Sequence, residues 1–254
     1  LREVVDCGLF ATTADAQASG CDPDPNRARQ ESYSIHFLQA LLGNDRGGRP
    51  LSGSDLDLNG DGRVGLLEAH ARARLHSRSI DVPTTTSERW LRIGEGASVS
   101  AGAGGYEQVR ELLADEMAVV KGLGEQLRLM DRASVERGLA RADREDRQRG
   151  ARLDALESAA DDAYFALRIA LLERWPVLDR PWLPSWSRAL RSEGASIRQL
   201  LLESSLAVDY RLQRRALDSL VGEEARAQVH RALLRRLLRA HQNLEMAAAL
   251  RREG

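Results

Sequence analysis

Residues 57–68 read Asp57-Leu58-Asn59-Gly60-Asp61-Gly62-Arg63-Val64-Gly65-Leu66-Leu67-Glu68, a string that few backbone conformations can serve. Side-chain oxygens recur at the first, third and fifth places, a glycine stands sixth and a glutamate closes the run at the twelfth. A calcium loop needs that pattern: hard oxygen ligands at 1, 3 and 5, a backbone carbonyl at 7 and a bidentate carboxylate at 12. The predicted ligands are therefore Asp57, Asn59, Asp61, the carbonyl of Arg63, and Glu68. Gly62 falls where the chain turns with a dihedral that other residues resist. Val64 is expected to anchor the loop to the protein body, and Gly65, without a side-chain ligand, leaves its place to water. A register starting at Asp55 fails, because it puts Leu66 at the twelfth place. The competing reading is an acidic, Gly-rich turn that holds no metal.

The residues after Glu68, Ala69 to Leu75, suit an exiting helix, whereas Arg49 to Asp55 is poor helix sequence. The pattern is half of a helix-loop-helix unit, and the sequence offers no second loop to pair with it. A lone loop fits a structural calcium or a modest-affinity sensor better than a tight buffer.

Composition narrows the rest. The chain has 254 residues, enough for one large domain or two small ones, and its 43% hydrophobic content can supply a core. A net charge of −1 provides no global field to recruit nucleic acid or anionic membrane. Lys121 is the only lysine, and the arginines interleave with acids, as on a solvated face. Arg141 to Arg152, with five arginines and three acids, lacks the unopposed basic charge that a nucleic-acid surface needs. No apolar run approaches the roughly 20 residues of a membrane span. Cys7 and Cys21 match no zinc spacing and are compatible with a disulfide or with two free thiols.

Along the chain the grammar changes once. Residues 1–13 form a short apolar, β-branched run that suits a strand buried on both faces of a parallel sheet. A loop follows at 20–27, and residues 32–42 look like a strand passing into a helix. Residues 93–105, rich in Gly, Ala and Ser, have the composition of a flexible linker. Beyond the linker, Leu112, Val120, Leu123 and Leu127 keep the three-and-four spacing of an amphipathic helix. A second helical run over about 133–175 is broken by Pro176, Pro181 and Pro184. Two more helices are expected near 185–219 and 222–251. The expected domains are thus an α/β region over 1–92, the linker, and a helical hairpin or bundle over 106–254.

No phosphate loop, paired-histidine zinc helix or Gly-x-Ser-x-Gly elbow is present. His36, His70, His76, His230 and His241 do not fall at metal-ligand spacings. Cys7 lies within an apolar run, where a thiolate would be desolvated, which argues against a nucleophile there.

Leu9-Phe10-Ala11-Thr12-Thr13-Ala14-Asp15, then Ala18-Ser19-Gly20-Cys21, then Tyr33-Ser34-Ile35-His36-Phe37 resemble the legumain-type branch of the caspase-like cysteine peptidases. The segment Ile80-Asp81-Val82-Pro83, followed by Thr86-Ser87-Glu88, extends the likeness, which covers roughly residues 5–92. The resemblance implies a partial caspase-like α/β sheet in which Thr12 and Thr13 end a core strand beside the catalytic loop. It implies that Ser34 lines the primary specificity pocket. It also implies that the backbone from Tyr33 to His36 pairs with an extended peptide or protein substrate as an added strand. The catalytic histidine and cysteine of that family belong upstream of the strand that carries the Ala-Thr-Thr run, and upstream of Leu9 this chain has eight residues and no histidine. The expectation is the C-terminal portion of a calcium-binding peptidase, inactive alone and complemented by an N-terminal half. The alternative is a non-enzymatic calcium-binding scaffold with a helical arm for a partner.

Overall fold

A computed structural model describes residues 8–16, 18–19, 32–93 and 105–253. The described residues are 75% helical, which overturns the expected α/β region. Among the described residues the only sheet is a two-residue antiparallel ladder. It pairs β1 (Leu9–Phe10) with β2 (Thr84–Thr85), Leu9 opposite Thr85 and Phe10 opposite Thr84. Phe10 is 50% exposed, so β1 is an edge ladder and not a strand covered on both faces. A parallel sheet requires parallel strand neighbours, and among the described residues the only strand beside β1 is the antiparallel β2.

The second correction lies at Tyr33–Leu42, which is a helix, α1, throughout its length. Tyr33, Ile35 and Phe37 alternate with polar residues and so mimic a strand. Tyr33, Phe37 and Ala40 also stand four and three apart, the spacing of one helix face. Packing decides between the two periods. Ala40 joins Leu56 and Ala69 in a small buried cluster, flanked by Phe37 and Leu51, that seals α1 against α2 (Leu66–His76). Gly43 ends α1 in the left-handed conformation at φ 69°.

Downstream come α3 (Thr86–Ile93), α4 (Gly105–Leu127), α5 (Arg132–Arg174), α6 (Pro184–Glu203) and α7 (Ser205–Glu253). The helical C-terminal region stands as expected, including the break at Pro176 and Pro184. One boundary does not: the division expected near 220 falls at Ser204. Ser204 is extended at ψ 151°, and its hydroxyl accepts the Ala207 amide at 3.2 Å as the N-cap of α7. Gly222 is carried inside the helix. No helix among the described residues is long and apolar enough to cross a membrane.

The chain divides into two compact units, one of Leu1–Ala142 with Gln228–Gly254 and the other of Asp143–Ala227. The core of the first is built from Ala71 of α2, Val119 and Leu123 of α4, Val135 and Ala142 of α5, and Leu233, Leu234, Leu237 and Ala240 of α7. The second buries Ala160, Ala163 and Leu167 of α5, Ile197 of α6, and Ala207, Leu217 and Leu220 of α7. The expected linker and both cysteines lie outside the described residues, apart from the ends of the linker.

Candidate metal centre

The loop 57–68 follows a short 3-10 turn at Gly53–Asp55 and runs directly into α2. Arg49 to Asp55 forms no α-helix, and α1 takes the place of an entering helix. Gly60 and Gly62 are left-handed, at φ 77° and 81°. A Cβ at Gly62 would meet nothing within 4 Å, so the demand for glycine there comes from the backbone alone.

Each predicted side-chain ligand is tied to the loop's own amides. Asp57 Oδ1 accepts from Gly60 N at 2.7 Å and Asp61 N at 3.0 Å, while Oδ2 accepts from Gly62 N at 2.9 Å. Asn59 Oδ1 accepts from Asp61 N at 2.9 Å, and Asp61 Oδ1 from Arg63 N at 2.8 Å. Glu68, only 2% exposed, spans the loop. Its Oε1 accepts from Leu58 N at 2.7 Å and Asn59 N at 3.2 Å, and its Oε2 from Gly65 N at 2.6 Å. The last contact also satisfies an orphan amide at the start of α2.

The donor set fits calcium in kind: three carboxylates, an amide oxygen and a backbone carbonyl, all hard oxygens, wound on a glycine-permitted turn. The three carboxylates are not drawn into a tight cluster. Among the described residues no three His, Cys, Asp or Glu groups converge closely enough to hold a metal by themselves. Val64 is a correction: at 37% exposure it does not anchor the loop. Leu56, buried on α1 and α2, and Leu58, packed on the main core, do so instead.

The residues singled out by the peptidase resemblance are distributed differently. Thr12 and Thr13 lie in a bend beyond β1, both half-buried, and Thr13 is engaged locally. Its carbonyl accepts the Ala16 amide, and its hydroxyl helps hold the exposed Asp15 carboxyl below its usual range. Ser34 is exposed, with its hydroxyl 3.1 Å from that of Ser32. His36 is half-buried near His76, whose protonation it disfavours after burial and Arg72. Tyr33 is buried, its ring stacked on Phe37 and its hydroxyl 2.9 Å from His70 Nδ1. Because Tyr33 to His36 is helical, its backbone does not have the extended form needed to pair with a substrate strand.

Three polar arrangements at and beyond the C-terminal end of α2 gave no clear signal in the sequence. The Arg236 guanidinium, 1% exposed, donates to the carbonyls of Asp81 (2.7 Å), Arg74 (3.1 Å), Ser77 (2.6 Å) and Ser79 (2.8 Å) and to the Ser79 hydroxyl (3.3 Å). It thereby covers the C-terminal end of α2, and burial pushes it down to about 10. Asp81 accepts from Ser19 N and Oγ, both at 2.6 Å, and from Ser79 Oγ at 2.9 Å. Glu88 pairs with Arg239 at 2.7 Å and Arg92 at 3.2 Å, and accepts from Thr84 Oγ1 at 2.9 Å. Burial pushes the Glu88 carboxyl up, but the charges of Arg239 and Arg74 win and hold it below its usual value. Thr85-x-x-Glu88 is a capping-box spacing, and the Thr85 hydroxyl does accept the Glu88 amide at 3.0 Å, so that one signal was in the sequence. Arg236 gave none.

In comparisons with known proteins, no family model, curated protein or solved structure matches the chain.

Proposed function

We propose that this chain is a calcium-binding scaffold, in which a single loop braces the junction of α1 and α2 and the long helices serve a partner. The observation that carries this reading is the loop itself. Five ligand positions, two left-handed glycines and a buried closing glutamate occur together, and Glu68 already stands at the root of the helix it would tie to the ion. Calcium bound there would neutralise Asp57, Asp61 and Glu68 and fix the start of α2. Among the described residues Tyr33–Leu42 is a helix and not the strand on which the peptidase reading placed its substrate contacts, which supports the scaffold reading.

Thermal melting of the full chain with and without calcium tests it. A ligand at a hundredfold its Kd adds about 2.7 kcal/mol to the folded state, equivalent to a rise in Tm of roughly 5–10 °C. Glu68→Gln and Asp61→Asn should each remove most of that rise, Asp61 being an exposed position whose change spares the fold. A wild-type Tm that does not move with calcium would sink the proposal.

A further inference from the structure

The turn between α5 and α6 carries apolar side chains in water where a helical unit would ordinarily bury them. Trp182 is 75% exposed and Leu183 37%, although Trp175, seven residues back, is buried and roots the turn. The turn is stiff. Pro176, Pro181 and Pro184 fix three of its φ angles, and a 3-10 helix occupies Pro176–Asp179. Backbone bonds Leu178 N to Trp175 O, Arg180 N to Val177 O, Leu183 N to Arg180 O and Trp186 N to Leu183 O, all 3.0–3.1 Å, complete it. Trp182 is therefore held outward by a preorganised backbone, with little further entropy to lose on binding.

The charge around it is one-sided. Residues 168–191 hold Arg168, Arg174, Arg180, Arg188 and Arg191 against Glu173 and Asp179, a balance of +3 in a chain of net −1. Asp179 is already neutralised by Arg168 at 2.6 Å, and Arg174 lies over the Trp175 ring at 4.7 Å. Arg180, Arg188 and Arg191 are exposed. The chain as a whole has no field to attract anions, but this turn does so locally.

We propose that this turn docks on an anionic lipid surface, with Trp182 and Leu183 entering the headgroup layer and the exposed arginines meeting lipid phosphates. Tryptophan with one apolar face and one N–H is suited to that interface, and arginines gain from a negatively charged leaflet. A protruding tryptophan on a convex turn fits a deformable surface, whereas a folded protein partner would need a matching pocket.

The test is binding of the full chain to vesicles of phosphatidylglycerol and phosphatidylcholine, and to vesicles of phosphatidylcholine alone. Expected are co-sedimentation with the anionic vesicles, a blue shift of tryptophan emission, and weakening as salt is raised. Trp182→Ala should abolish the blue shift, and Arg180→Glu with Arg188→Glu should weaken binding at least tenfold. Both changes lie at exposed positions and leave the core untouched. No binding to anionic vesicles, binding equal on neutral ones, or binding unchanged in Trp182→Ala would overturn the proposal. So would a Trp182-dependent dimer in the absence of vesicle binding, which would assign the turn to a second copy of the chain.

Discussion

Arg236 shows how much of this fold rests on a single side chain. Five N–H groups meet five acceptors, four of them carbonyls at the end of α2 and in the segment that follows it. Lysine has three donors on one atom and cannot span that set. With charge-assisted bonds worth about 1.5–3 kcal/mol each, Arg236→Lys should lower stability by roughly 3–5 kcal/mol. Urea unfolding at neutral pH would measure it, and a loss below about 1 kcal/mol would show the carbonyls to be otherwise satisfied. The residue was illegible in the sequence for a physical reason. It is one of 37 basic residues, all but one of them arginines, and nothing local separates a buried arginine from the solvated ones around it. Its acceptors are 155–162 residues away along the chain.

At the scale of the element, a buried polar contact joins α1 and α2 beside their small apolar cluster. His70 is buried against Tyr33, and burial first, then the charges of Arg74 and Arg239, hold it well below its ordinary value of 6.5. In the unfolded chain His70 takes up a proton as pH drops through 6.5, whereas the folded chain does so only at lower pH. The unfolded state binds more protons in that window, so stability should fall with pH below 6.5, by at most about 1.4 kcal/mol per unit from this residue. His76 and His241 are shifted the same way and add to the slope. Comparing denaturant midpoints at pH 7.5 and 5.5 in wild type and His70→Phe isolates the contribution. An identical pH slope in the variant would mean that His70 is not buried neutral. The loop preceding α2 was legible because its chemistry is written in consecutive residues. The helix α1 was not, because Tyr33, Ile35 and Phe37 satisfy a period of two as well as a period near four. Only the packing of Tyr33, Phe37 and Ala40 on α2 breaks the tie.

For the whole molecule, the helical half could be read from long amphipathic runs and three prolines, since those signals are local. What the sequence did not display is that the chain leaves one unit within α5 and returns to it within α7. The core makes this discontinuity testable. Ala142, at the departure, belongs to the same apolar cluster as Val229, just after the return, along with Leu234 and Leu237. Neighbouring packed helices lie about 8–10 Å apart, a gap that a four-residue Gly-Ser linker can span. Replacing residues 143–227 by such a linker should therefore leave a folded, cooperative unit. That unit retains α2, Arg236 with its carbonyls, and the loop 57–68, so it should keep the calcium-dependent rise in Tm. Circular dichroism melts with and without calcium would check both points. A broad transition without cooperativity would show instead that the first unit cannot hold its core unless the excised helices are present.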